Sequence, residues 1–160
     1  MKVEVEKLGP ASRIWIYQNY QRIAPEKMEA LKKDLDAFVS EWTAHQQPLL
    51  ATSQILHERF IILMVDESYN AASGCSIDTS VGFIRQIEEK YDLNLFDRFT
   101  FSYQKDGQVF TVPKDKFAEL YQSGEIDEST PVFDTLIRTK GDLEQAWIKP
   151  LGKSWHRRFL

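Results

Sequence analysis

The chain is poor in the residues that most often announce a function. Cys75 is the only cysteine among 160 residues, so no disulfide can close within the chain, which fits a reducing compartment. Basic residues are not in excess: 20 Lys and Arg stand against 24 Asp and Glu, for a net charge of −4, which excludes a globally basic nucleic-acid binder. The longest apolar run, Phe60 to Val65, is far too short to cross a bilayer. Met1 to Lys7 carries acids where a secretory leader needs an apolar stretch, so a soluble, cytoplasmic protein without a membrane partner is expected. The three histidines lie far apart, and neither H-x-x-x-H nor C-x-x-C spacing occurs, so neither a metal site nor a cofactor is expected.

What is present suits a packed core. Hydrophobic residues make up 42% and aromatic residues 12% of the chain. A chain of this length buries roughly 70% of its unfolded surface without metals or cross-links. One domain over 1–160 is expected, with 99–160 as a candidate sub-module.

Periodicity then divides the chain. Arg13 to Tyr17 is rich in β-branched and aromatic residues and reads as a strand. Pro25 suits a first helical turn, and Met28, Leu31, Leu35, Phe38 and Trp42 trace one apolar stripe that Gln47-Pro48 would end. Thr52 to His57 and Arg59 to Val65 read as strands, the second apolar enough to be covered on both faces. Ile77, Val81, Ile84, Ile87 and Tyr91 mark a second helix, capped by Ser76 with Thr79 or by Asp78. Phe99 to Tyr103 and Val109 to Val112 flank Asp106-Gly107 as a hairpin, followed by a helix from Pro113 to Ser123 that Gly124 stops. Thr130 to Phe133 reads as a strand or a helix start, and Leu143 to Trp147 as a short last helix. Strand–helix–strand–strand–helix–strand is the order of a ferredoxin-like split βαβ unit, so the predicted class is α+β. An antiparallel sheet would carry helices on one face and a C-terminal hairpin–helix extension.

Phe60 to Glu67 has the form of a Walker B strand, which delivers an acid to Mg²⁺. Such a site needs a glycine-rich phosphate loop. The one Gly-Lys-Ser, Gly152 to Ser154, lacks the required first glycine, which would fall at Trp147, and has too few residues after it for a helix. ATP hydrolysis is therefore not expected. Asp66 and Glu67 read more simply as solvated acids ending a core strand.

Cys75 is the residue with the most chemistry. A helix beginning near Ser76 would place its sulfur where free amides and the helix dipole favour a thiolate. A nucleophilic role then wants a base, and His57 and His156 are the candidates; the competing reading is a thiol that only packs. Ser73, Gly74 and Ser76 with the first helical amides form a candidate anion cradle, and convergence of Asp66, Glu67 and Asp78 on Mg²⁺ is the weaker alternative for ligand binding at this loop. Asp78 would compete for those amides, which favours a cap over a cradle. From Lys149 onward the chain is basic, with Lys149, Lys153, Arg157 and Arg158 interleaved with Trp155, His156 and Phe159. That segment suits phosphate or base stacking through Arg157 and Arg158. It equally suits a tail anchored by Trp155 and Phe159 with its cations in water, some of them near Glu125 and Asp127.

Ile62 to Glu67, Ala72 to Asp78 and Ser154 to Phe159 resemble a family of uncharacterised bacterial proteins, some of whose members carry the label "ABC transporter ATPase". The resemblance covers nearly the whole chain and implies no established activity. A second one covers about 40 residues of the last third. Tyr103 to Gly107, Phe117 to Leu120, Ser123 to Ile126 and Thr130 to Phe133 are similar to a GYF-type module, with Phe133 where tryptophan is common. That likeness implies binding of peptides or proteins through aromatic side chains. The first expectation is thus a non-catalytic interaction module whose partner is a protein. The alternative is a Cys75-dependent thiol enzyme acting on a small anionic ligand, and nucleic acid is not an expected partner.

Overall fold

The computed structural model describes all 160 residues, and they form an α+β fold. The first half is built on β1 (Arg13–Gln18), β4 (Leu50–Leu56) and β5 (Phe60–Asp66), with α1 (Pro25–Glu41) and α2 (Gly74–Tyr91). β5 lies between the other two and runs antiparallel to both. Its apolar run explains that place, since each residue from Phe60 to Val65 is wholly buried. Ile61, Leu63 and Val65 face one way, into a cluster with Leu31, Leu35 and Val39 of α1 and Ile84 and Ile87 of α2. Ile62 and Met64 face the other way and meet Leu8 and Ile14.

The two helices depart slightly from their sequence stripes, and one side chain explains both departures. α1 ends at Glu41, well before Gln47-Pro48, because Trp42 turns into the core and donates its indole N–H to the Ser76 carbonyl at 2.9 Å. The next residues make a small ribbon, β2 (Thr43–Ala44) and β3 (Gln47–Pro48), closed by His45 and Gln46 at positive φ. Opposite the indole, α2 buries the small Ser76 and Ser80, while Ile77 and Val81 stay half-buried.

The second half contains β6 (Thr100–Lys105), β7 (Gln108–Pro113), α3 (Lys114–Gln122), β8 (Pro131–Phe133), α4 (Lys140–Ala146) and β9 (Ile148–Pro150). Asp106 and Gly107 both take positive φ in the β6–β7 turn, as the Asp-Gly signal predicts. Gly124, at φ +79°, follows α3. The strands form one sheet in the order β7-β6-β8-β9, over a core of Phe101, Tyr103, Phe117, Ile126, Val132 and Leu151.

The ferredoxin-like expectation needs one correction. β1, β5 and β4 adopt the order and directions of three strands of that unit, with α1 and α2 on one face. The fourth strand, β6, does not join the β1 edge. Both edges of β6 are already paired, with β7 and with β8, so it has no free backbone ladder to offer β1. Arg138 and Thr139 reach β1 instead, through Ile14 N–H to the Arg138 carbonyl at 3.0 Å and a bridge between Arg13 and Thr139. The two sheets meet at Phe60, Phe133 and Trp147, whose ring centroids are 5.0 Å apart in each pairing.

Candidate functional site

The bend between β5 and α2 was the sequence's strongest candidate, and its polar groups are largely bound to one another. Asp66 accepts the Ser68 hydroxyl at 2.6 Å, the Ser68 amide at 3.0 Å and the Gly9 amide at 3.5 Å. These bonds, the Ser68 hydroxyl first, hold its carboxyl below the usual carboxylate range. Glu67 accepts the Ala72 amide at 2.9 Å. Both acids therefore shape the bend that launches α2.

The helix start corrects the expected cap. Ser73, not Ser76 with Thr79 or Asp78, is the N-cap: its hydroxyl accepts the Ser76 amide at 3.1 Å, and the Ser76 hydroxyl accepts the Ser73 amide at 2.7 Å. Thr79 bonds back to the Cys75 carbonyl, and Asp78 is exposed further along the helix. Two of the three cradle residues, Ser73 and Ser76, thus spend their side chains on each other. Gly74 remains open, and Cys75 is exposed in the first turn of α2, as the strand–bend–helix reading requires.

The proposed bases do not stand with that thiol. His57 occupies the β4–β5 turn, at the opposite end of β5 from Asp66, and the seven residues of β5 span about 20 Å. It lies against Phe60, Phe133 and Trp147, and the desolvated side of its ring lowers its pKa. His156 is buried beneath the other sheet, stacked at 3.8 Å on Trp155 and edge-on to Phe101 at 5.0 Å. Its Nδ1 lies 2.6 Å from the Ser154 hydroxyl, and burial pushes its pKa down to about 4. No hydrogen bond connects Cys75 with either ring. The arrangement supplies an exposed thiol without an adjacent general base.

The C-terminal segment is a lock, built around a residue the sequence reading overlooked. Asp134 is 7% exposed and accepts Lys149 Nζ at 2.6 Å, the Trp155 indole at 2.8 Å and the Leu136 amide at 2.9 Å. Burial opposes its charge, yet Lys149 and these donors hold it below the usual range. Trp155 and buried His156 anchor the tail, while Phe159 stays at the rim. Arg157 pairs with Glu128 at 3.6 Å rather than with Glu125 or Asp127, and Arg158 is exposed with no ion pair. Gly152 sits in a turn where an added Cβ would displace the Glu128 carboxylate and crowd the Glu128 carbonyl, and Ser154 is taken by His156, which is packing chemistry rather than a phosphate loop.

A second unforeseen network crosses the joint between the sheets. Gln18 donates to the Thr100 carbonyl at 3.0 Å and accepts the Ser102 hydroxyl at 2.7 Å. Ser102 also meets the Thr111 hydroxyl at 2.6 Å, and Arg59 donates to that hydroxyl at 2.8 Å and to the Tyr20 carbonyl at 2.6 Å. Alternation along β6 correctly buries Phe101 and Tyr103, but it gives no sign that Thr100 and Ser102 on the other face are buried too. Phe99, in the same register as Phe101, is 56% exposed beneath Lys114.

No group of three or more His, Cys, Asp and Glu side chains converges as a metal site. No helix is long and apolar enough to cross a membrane. Compared with known proteins, the chain matches no family model, no curated protein and no solved structure.

Proposed function

We propose that the protein is a non-catalytic interaction module whose C-terminal sheet binds a protein partner through an aromatic surface. The observation that carries this reading is Phe110. It lies on edge strand β7, 39% exposed, and stacks at 5.4 Å on buried Tyr103. An aromatic ring held rigid from below and open above offers contact area at little cost in side-chain entropy, as interface anchors do. The exposed pair Lys105–Glu125, at 2.7 Å, gives the same end of the hairpin a polar rim. Residues 100–133 run hairpin, helix, strand, the order on which the GYF-like resemblance rests, and the partner class that this resemblance implies is a peptide or protein.

The residues with reactive chemistry favour this reading over its rival. A thiol enzyme acting on a small anion retains an exposed Cys75 and a free Arg158, but its two candidate bases belong to aromatic clusters elsewhere. The test is affinity capture from native extract with the wild type and Phe110→Ser, both checked for folding by circular dichroism. A specific protein retained by the wild type and reduced about tenfold by the substitution is the expected result. Equal retention by both proteins rejects the surface. Turnover of a small anionic compound by the purified protein, abolished by Cys75 alkylation, would reverse the choice in favour of the enzyme.

A further inference from the structure

The outer edge of β4 is half closed and half open. Along its first half the chain's own start lies parallel to it. The Met1 amino group donates to the Leu49 carbonyl at 2.7 Å, Ala51 N–H to the Met1 carbonyl at 3.1 Å, and Val3 N–H to the Ala51 carbonyl at 2.9 Å. The chain then leaves the edge in a 3-10 turn, Val5–Lys7. Outward-facing groups recur at every second residue of a strand, so Ser53 and Ile55 continue the row begun by Ala51. Neither backbone makes a hydrogen bond on that side. Asn19 N–H to the Arg59 carbonyl fixes the same parity, since it assigns the odd residues of β5 to β1 and the even ones to β4.

A cleft flanks this open segment on each face of the sheet. One, of about 240 Å³, lies between α1 and β4 and is bordered by Lys32, Asp36 and Ile55. The other, of about 380 Å³, lies on the opposite face and is floored by Leu56, Met64, Leu143 and Trp147, with Glu6 and Glu144 at its rim. Adjacent residues of a strand point to opposite faces, so one added strand presents consecutive side chains to the two clefts.

We infer that the open half of β4 is a docking edge for an extended peptide segment of a partner protein. The segment continues the line of Met1 to Val3 and bonds to Ser53 and Ile55. It places an apolar side chain in the α4-side cleft and the next, polar, side chain between Lys32 and Asp36. The chain's own start already uses this edge in the same manner, which is the mode of strand addition. A second copy is the poorer occupant. Its own edge is blocked beyond this stretch by Met1 to Val3, so edge-to-edge pairing of two copies would join only the open residues Ser53 to Ile55 of each.

The edge is separate from the Phe110 surface, so either can fail alone. Peptides of about ten residues, displayed in a random library, are selected against the intact 160-residue chain. Winners are then tested on the wild type, Ser53→Pro, Leu143→Glu and Phe110→Ser. Ser53 N–H points out of the ladder, a position where proline is tolerated in an edge strand. The expected results are about tenfold weaker binding to Ser53→Pro and to Leu143→Glu and unchanged binding to Phe110→Ser. Slowed hydrogen exchange at the Ser53 and Ile55 amides of the wild type is expected as well, and it decides the matter if a variant unfolds. Recovery of no peptide, protection confined to β7, or self-association in sedimentation with the edge amides protected and no peptide added, would overturn the inference.

Discussion

The two sheets solve the same packing problem with different materials. Around β5, a cluster of 15 buried residues is dominated by aliphatic side chains in regular helix-on-sheet packing. Around β6 the buried cluster has only six members, three of them aromatic, and it is completed by polar pieces: Asp134 holding Lys149 and Trp155, and His156 stacked on that same indole. A large aliphatic core needs only volume and pattern. A small one gains from each aromatic ring and from a tail tied down by charge-assisted hydrogen bonds. The difference teaches where each half is vulnerable: the first to lost volume, the second also to pH.

The largest effect tests volume. Phe117→Ala empties the centre of the smaller core and is expected to cost about 3–5 kcal/mol, against about 2–5 kcal/mol for Leu35→Ala in the larger one, read from urea unfolding. Hydrogen exchange separates them further. Phe117→Ala is expected to expose the amides of β6 and β8 before those of β5, and uniform exposure in both variants would show that the halves do not differ.

The next effect is the pH response. The folded-state pKa of His156 is depressed from an ordinary 6.5 to about 4, because burial disfavours the imidazolium. The unfolded chain therefore takes up a proton first. The contribution of neutral His156 is fully present above pH ~6.5, falls as pH drops toward ~4, and totals about 3 kcal/mol. His156→Phe is expected to flatten the stability profile between those limits. An unchanged profile would place the acid sensitivity elsewhere; Asp134, whose pKa is lowered, acts only below the ordinary aspartate value.

The smallest effects lie at the start of α2. Ser73→Ala removes one half of the reciprocal cap and is expected to cost about 1 kcal/mol. Cys75→Ser, two residues on and exposed, is expected to stay within about 0.5 kcal/mol. Thermal unfolding of the pair distinguishes a cap from a bystander.

Features that rest on neighbours in sequence were legible from the start. Pro25 opens α1, Asp106-Gly107 closes the β6–β7 hairpin, and Phe60 to Val65 forms the strand covered on both faces. The place of Cys75 at the start of α2 follows from the same local logic, whereas its exposure, against the alternative of a packed thiol, is visible only in the structure. The candidate site was legible only in part. Asp134 and Lys149 are ordinary single residues 15 apart, and nothing local marks them as a buried pair. His156 reads from the sequence as a candidate base, and nothing local shows that Trp155 and Phe101 enclose it. The pairing of Cys75 with a histidine failed for the reverse reason, because residue types were matched without any knowledge of which end of a strand each occupies.

By itself the sequence determined the α+β class, the main strands and helices as far as α3, and the absence of a phosphate loop, since each depends on periodicity or spacing along the chain. Only the tertiary structure decided that β6 would leave the first sheet and that half of the β4 edge would stay open. Those outcomes depend on which backbone groups find partners first, and hydrogen-bond partners in a sheet lie far apart in sequence.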